Sequence, residues 1–204
     1  MRMARRMAAK VAQAWIELRA DDPEAVSALA VARAHLPVGA RVAGLRRMRL
    51  VEIVGALPAR EQVESLLHHS TQFYNPHKER CAVRLAPADP APIESSERAV
   101  LIVEREGSWR PAAERWWRHE TGEPVEVREG TAWVVRLTNP QAADLEELTL
   151  VRGRRHGLLC NPHSQDCRLA EGTVPLPWLH DPPAPRGARA AGRTVPASPK
   201  RSAR

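Results

Sequence analysis

The sequence contains one eight-residue pattern twice, and this repetition decides the expected fold. Residues 74–81 read YNPHKERC and residues 160–167 read CNPHSQDC, so Asn-Pro-His-x-x-x-Cys recurs at a spacing of 86 residues. At the same spacing, the apolar run Trp15 to Arg19 aligns with the run Leu101 to Arg105. A motif and a strand pattern that recur together indicate an internal duplication.

Each half carries a similar order of predicted elements. Short apolar runs predict strands, and apolar residues at helical spacing predict the helices between them. In the first half, Asp22 and Pro23 are expected to begin a helix, and a strand is expected from Met48 to Val54. In the second half, Asn139 and Pro140 are expected to begin the second helix.

The middle strands of the two halves align at a spacing of 83, which places Met48 opposite Thr131. The segment from Val125 to Leu137 reads as two strands, or as one strand bent near Gly130. The order β-α-β-β-α-β in each half predicts an α+β protein. We expect two tandem ferredoxin-like sandwiches, with the helices on one face of antiparallel sheets.

Composition divides the chain into repeats, a linker and two basic ends. We expect a flexible basic N-terminus at 1–11, repeats at 12–86 and 99–174, a Pro-rich linker at 87–98 and a disordered basic tail at 175–204. Trp178 and Leu179 are the last residues expected to dock on the fold.

The net charge of +7 comes from the two ends of the chain. Residues 1–10 hold four cations and residues 183–204 hold six, without an acid in either segment. Residues 11–182 therefore carry 21 cations and 24 acids. A dedicated nucleic-acid domain concentrates positive charge on its folded surface, so nucleic-acid binding is disfavoured except weakly through the ends. The lack of a long apolar run argues against a membrane partner, and three cysteines favour a cytoplasmic location.

The repeated motif has a metal-binding interpretation and a structural one. Cys160, His163 and Cys167 are potential zinc ligands, and His156 lies four residues before Cys160. The first copy has Tyr74 in the place of Cys160, so it offers a poorer ligand set. The favoured interpretation is structural: Asn-Pro makes a turn, His caps it, and Cys is a small buried residue that opens a strand.

The remaining chemistry of the sequence points to contact rather than catalysis. No nucleophile elbow, phosphate-binding loop, dinucleotide fingerprint or metalloprotease motif is present, and we expect neither catalytic residues nor a cofactor. Trp116 and Trp117 are adjacent, so one helix face cannot bury both. One of them is expected to pack on the sheet and the other to meet the partner repeat or a partner protein.

Several residues resemble the small subunit of bacterial phosphoribosylformylglycinamidine synthase, the PurS family. That family has a leucine pair after its second helix, then Asn-Pro, an acidic residue and a closing strand. Leu158-Leu159 with Asn161-Pro162 and Asp166 is similar, as is Leu66-Leu67 with Asn75-Pro76 and Glu79. Val127-Arg128-Glu129-Gly130 is similar to the segment that enters the family's middle strand. The glycine and proline segment after the family's first strand is missing from both halves.

The resemblance implies a bridging subunit of a glutamine amidotransferase complex in purine biosynthesis. Its partners would be the large synthetase subunit and the glutaminase subunit, and the two repeats would pack as an intramolecular pseudo-dimer that could assemble further. The expected contact residues are Asn75, Pro76, His77, Asn161, Pro162, His163, Trp116 and Trp117. The alternatives are a regulatory module that binds a small ligand between the repeats, and a zinc-binding module that uses Cys160, His163 and Cys167.

Overall fold

Ten helices and strands, together with one 3-10 helix, make up the described part of the fold. The computed structural model describes residues 10–153 and 155–180. In chain order the elements are β1 (Lys10–Leu18), α1 (Pro23–His35), the 3-10 helix (Pro37–Arg41), β2 (Val42–Gly55), α2 (Arg60–His68), β3 (Glu79–Arg84), β4 (Glu97–Glu104), α3 (Pro111–Thr121), β5 (Val125–Leu137), α4 (Asp144–Thr149) and β6 (Gln165–Ala170).

The strands of both halves lie in one antiparallel sheet, in the order β3-β1-β2-β5-β4-β6. The predicted α+β class is confirmed. The two separate sandwiches of the prediction are replaced by a single sheet, because the middle strands β2 and β5 pair with each other from Val42–Leu137 to Gly55–Val125. Each half has three strands rather than four, since β2 and β5 run as single strands of 14 and 13 residues. Of the two alternatives for Val125 to Leu137, the single strand is confirmed.

Strand registers in the two halves correspond. Trp15 of β1 pairs with Ala82 of β3, and Leu101 of β4 pairs with Arg168 of β6. Each residue of the second pair lies 86 positions after its equivalent in the first. The middle strands correspond at a spacing of 82 residues. Ala14 pairs with Val51, and Val100, the equivalent of Ala14, pairs with Trp133. The expected spacing of 83 was wrong by one residue, and a one-residue shift exchanges the two faces of a strand.

All four helices cover one face of the sheet, and the buried cluster around the first helix of each half includes residues from strands of both halves. Helix α1 shares a buried cluster with α4 and with residues of β4 and β5, among them Val100 and Val135. Helix α3 shares a second cluster with α2 and with residues of β1 and β2, among them Ala14 and Ile53. The hydrophobic core therefore interlocks the two halves.

The opposite face of the sheet is covered by residues 174–180, which we call the C-terminal strap. Val174, Trp178 and Leu179 of the strap are buried against Trp15 and Leu50 of the sheet. The docking of Trp178 and Leu179 is thus confirmed, whereas the predicted disorder from residue 175 is wrong for 175–180. The other residues of the predicted tail and most of the predicted basic N-terminus lie outside the described ranges.

Helix starts match the prediction where a side chain caps them. The Asp22 carboxylate accepts hydrogen bonds from the backbone N–H groups of Glu24 and Ala25, with Pro23 as the first helical residue. The expected start at Asn139 and Pro140 was wrong, because α4 begins at Asp144. Asn139 instead has a φ of 49°, a left-handed conformation that asparagine tolerates better than most residues.

Candidate functional site

The Asn-Pro-His segments form matching turns that lead into the outer strands of the sheet. In each turn the asparagine side-chain oxygen accepts a hydrogen bond from the backbone N–H of the histidine, His77 or His163, at 3.0 Å. The backbone N–H of Asn75 donates to the Glu79 carboxylate, and that of Asn161 donates to the side-chain oxygen of Gln165. These bonds fix both turns locally.

An arginine directly after the first strand of each half supports the turn. The Arg19 side chain donates to the carbonyl of Pro76 at 3.1 Å, and the Arg105 side chain donates to that of Pro162 at 2.7 Å. The two arginines are 86 residues apart, and their backbone N–H groups also bond equivalent carbonyls. The histidine side chains are exposed, so the motif builds the turn chiefly through Asn and Arg rather than through His.

The motif cysteines lie in the outer strands and remain protonated at neutral pH. Burial raises the pKa of the Cys81 thiol to about 12, and it does the same for Cys160. The Cys160 thiol donates to the carbonyl of Gln165, and Tyr74 and Cys81 occupy the positions of the first half that match Cys160 and Cys167. A protonated thiol is a poor nucleophile and a poor metal ligand.

The candidate zinc residues are not gathered into a single site. His156 and His163 are exposed, whereas Cys160 is buried. Within residues 10–153 and 155–180, no group of three or more His, Cys, Asp or Glu side chains is placed so that it could hold a metal ion.

The paired tryptophans of α3 both face the first half. Trp117 is fully buried in the cluster beneath α2 and α3, and its ring lies edge-on to Phe73 with centroids 6.2 Å apart. Trp116 is half-buried and contacts the same phenyl ring at 5.7 Å. Trp109, which is 60% exposed, is the more open aromatic surface of this half.

A cleft of about 610 Å³ lies between α2 and the outer strand β3, and we call it the α2–β3 cleft. Its lining residues are Glu61, Glu64, Ser65, Leu67, His68, His69, Tyr74, Cys81, Ala82 and Val83. The hydroxyl of Tyr74 and Nδ1 of His68 lie 3.0 Å apart, within hydrogen-bond distance. Burial raises the pKa of the Tyr74 phenol, so this hydroxyl stays neutral at neutral pH.

A polar triad is buried on the strap side of the sheet, and sequence reasoning did not single it out. Gln13, Glu52 and Arg84 lie side by side on β1, β2 and β3. The amide of Gln13 donates to Glu52 at 2.7 Å, and its oxygen accepts from Arg84 at 2.7 Å and from the indole of Trp15 at 2.9 Å. The available signal was a polar residue within each apolar run of β1 and β2.

The Glu52 carboxylate binds the C-terminal strap. It accepts hydrogen bonds from the backbone N–H groups of Trp178, Leu179 and His180, and Nδ1 of His180 lies 3.1 Å away. Burial alone would raise the pKa of Glu52. The bonds from His180, Gln13 and the strap backbone outweigh this effect and lower the pKa below its ordinary value. Glu52 therefore carries its charge at neutral pH.

Most polar contacts of the strap come from the first half. Gln13 and Arg84 also donate to the carbonyls of Pro175 and Val174. The second half contributes the Arg168 side chain, which donates to the carbonyl of Trp178, and Glu126, which lies 3.6 Å from Nε2 of His180. In the second half, the positions that match the triad are Ala99, Val134 and Ala170, which are apolar. The two halves thus share a backbone plan but differ in chemistry on this face.

Comparison with known proteins gives no relative for this chain. No family model matches it, and neither does a curated protein or a solved structure. The longest described helix, α1, has 13 residues, and none of the helices in the described ranges has the length and apolarity needed to cross a membrane.

Proposed function

We propose that this chain is a non-catalytic bridging subunit that holds two larger proteins together. The observation that carries the proposal is the single sheet with one outer strand from each half at its two ends, β3 and β6. Each outer strand is preceded by the same Asn-Pro-His turn, held by the same arginine contact. Two related surfaces at opposite ends of one sheet suit two partners.

The same correspondence supports a duplicated origin for the two halves. The β1–β3 and β4–β6 registers agree at a spacing of 86, and the Arg19 and Arg105 contacts agree at the same spacing. The two halves would then form a pseudo-dimer within one chain. Covalent joining avoids the association entropy that two free subunits lose.

The partners that we propose are the large synthetase subunit and the glutaminase subunit of phosphoribosylformylglycinamidine synthase. This choice rests on the resemblance of the Leu-Leu and Asn-Pro segments, and the contact residues would include the two turns. The chemistry of the described residues suits contact, because the motif thiols are protonated and the turn polar groups are engaged in local bonds.

Reconstitution tests the bridging function. The full chain, carrying an affinity tag, is mixed with the purified synthetase and glutaminase subunits of the same host, in the presence of glutamine and ADP. We expect all three proteins in one complex, whereas the two large subunits without this chain separate on size-exclusion chromatography. Retention of neither subunit by a folded chain would contradict the proposal.

The small-ligand function keeps one supporting observation. The α2–β3 cleft has a volume within the range of small-molecule sites, although it lies inside the first half rather than between the halves. A ligand in this cleft would raise the melting temperature, and the increase would grow with the logarithm of the ligand concentration above its Kd. A panel of amino acids and nucleotides without any such shift would remove this alternative.

A further inference from the structure

We propose that the outer edge of β3 binds an extended, basic segment of a partner protein by strand addition. The segment would run along β3 and place alternate side chains in the α2–β3 cleft. That the bound segment belongs to a partner protein rests on the proposed bridging function. That it binds as an added strand rests on the geometry of β3.

The first step concerns the backbone groups at this edge. The backbone N–H of Arg19 donates to the carbonyl of Lys78. Even-numbered residues of β3 therefore direct their backbone N–H and C=O groups toward β1. The carbonyl of Val83 accepts instead from Arg60, and the backbone N–H of Leu85 donates to Asp89, so odd-numbered residues turn outward. Cys81 therefore presents its N–H and its carbonyl outward, and Val83 presents its N–H.

No strand among residues 10–153 and 155–180 pairs with these outward groups, since β3 ends the sheet on this side. Proteins usually block such an edge with charge, a bulge or a covering loop. Here the Arg60 and Asp89 side chains close one end, at Val83 and Leu85, and the carbonyl of Asn75 binds the outward N–H of Glu79 at the other end. The groups of Cys81 and the N–H of Val83 remain between them, and this part of the edge can take hydrogen bonds from an added strand.

The second step concerns the side chains. Cys81 and Val83 lie on the helix side of the sheet, where they pack against the cluster that contains Leu67 and Val63. Residues of an added strand opposite Cys81 and Val83 would turn their side chains to the same side, since neighbours across a sheet share a face. Helix α2 stands above that side and forms the wall of the cleft. The cleft would therefore receive every second residue of the segment.

The third step concerns charge. The lining of the cleft includes Glu61 and Glu64, and no Lys or Arg is among the lining residues. The nearby cation Arg60 is bound chiefly by Asp89 at 2.5 Å, and its contact with Glu64 is longer, at 3.5 Å. A Lys or Arg in the added segment would complement these carboxylates. Charge of this kind contributes chiefly to the choice of partner and to the association rate.

The matching strand of the second half supplies a control. Leu169 of β6 corresponds to Val83 of β3 at the spacing of 86, and it also lies on an outer strand. Helix α4, at six residues, is shorter than the nine-residue α2 that walls the cleft. A proline at either position removes an outward N–H and leaves the inward ladder in place, which an edge strand tolerates.

Peptide selection tests the proposal directly. A display library of random twelve-residue peptides is selected on the full wild-type chain, and the enriched peptides are measured against Val83→Pro and Leu169→Pro, with circular dichroism as the check on folding. We expect enriched peptides with alternating β-branched residues and at least one Lys or Arg. Their affinity should fall at least tenfold with Val83→Pro and stay within twofold with Leu169→Pro. N-methylation of alternate peptide amides should have the same effect as Val83→Pro.

A second pair of variants keeps the test decisive if a proline disturbs the fold. Glu64→Lys should weaken the selected peptides at least fivefold, whereas Glu120→Lys on the exposed part of α3 should not. A selection that yields no peptide sensitive to Val83→Pro or Glu64→Lys would overturn the proposal. The bridging function is judged separately: a reconstituted complex that survives both variants would keep the bridging function and reject this edge as its contact.

Discussion

Glu52 shows how one buried charge can specify where a chain segment docks. An ionised carboxylate without partners is costly inside a protein, so its burial requires several hydrogen bonds. Three successive N–H groups of the strap and the amide of Gln13 provide them. An apolar surface alone would let the strap slide along the sheet, whereas these bonds fix its position.

Replacement of Glu52 by Gln should therefore destabilise the protein at neutral pH. The amide accepts hydrogen bonds more weakly than the carboxylate and adds a donor facing the strap N–H groups, so we expect a loss of about 2–4 kcal/mol. Urea unfolding followed by tryptophan fluorescence measures the change. Glu120→Gln, at an exposed carboxylate, should change the free energy of unfolding by less than about 0.5 kcal/mol.

The stability difference between wild type and Glu52→Gln should depend on pH. The pKa of Glu52 is lower in the folded state than in the unfolded state, so its contribution is complete above the ordinary carboxyl pKa. The contribution is lost as the pH falls through the folded-state value. His180 and, across Gln13, Arg84 are the charged or titratable groups facing Glu52. The difference in stability between wild type and Glu52→Gln should shrink below about pH 4.5, and a constant difference from pH 7 to 3 would contradict this account.

Part of the residue chemistry was readable from the sequence. Asp22 before Pro23 is a local capping signal, and the structure confirms it because such a cap depends only on its neighbours. The triad was not readable, since its members stand 39 and 71 residues from Gln13 and meet only through strand pairing. Gln13 and Glu52, each a polar residue within an apolar run, give the only local signal.

The strap covers the apolar face of the sheet that the helices leave open. It covers Trp15, Met48 and Leu50 with Trp178 and Leu179. Burial of a large apolar side chain contributes roughly 1.5–3 kcal/mol, so the strap as a whole contributes about 5 kcal/mol or more. That amount is comparable with the total stability of many domains.

A truncated chain tests the role of the strap. Removal of residues 173–204 should lower the melting temperature strongly and produce binding of a hydrophobic dye, because the uncovered sheet face is apolar. Removal of residues 181–204 alone keeps every contact described above and should leave the melting temperature within a few degrees. Equal effects of the two truncations would show that the strap contacts do not stabilise the sheet.

Element order was predictable because hydrophobic periodicity is local, and the class followed from it. The joining of the halves was not predictable, because two long strands of alternating character give no sign of which strand they pair with. The length of the segment from Val125 to Leu137 was the one available clue, since only Met48 to Val54 of β2 was predicted. At 13 residues it is about twice the usual strand length, more than the second half needs for its own sheet.

At the scale of the whole molecule, the two halves depend on each other for their cores. Helix α1 packs on β2 and shares its buried cluster with β4 and β5 of the second half, and α3 packs on β5 and shares its cluster with β1 and β2 of the first. An ion pair crosses the boundary as well, because Arg41 binds the Asp144 carboxylate, whose side chain is 1% exposed. Neither half has a complete hydrophobic core of its own.

Separation of the halves should therefore abolish folding, and co-expression should restore it. Fragments 1–95 and 96–204 divide the chain in an exposed part of the linker. Each fragment alone should lack a cooperative unfolding transition, whereas the two together should copurify and unfold in one transition. A fragment that folds alone and binds no partner fragment would contradict the interlocked core.

The position of the strap along the chain has a consequence during synthesis. The sheet is complete when β6 has left the ribosome, but the residues that cover its second face come after β6. Until they emerge, Trp15, Leu50 and Leu101 form an open apolar surface, and the Glu52 carboxyl beside it lacks its strap partners. A chaperone or a protease would meet this surface on every nascent chain, so the speed with which the strap closes should govern how much protein survives to be used.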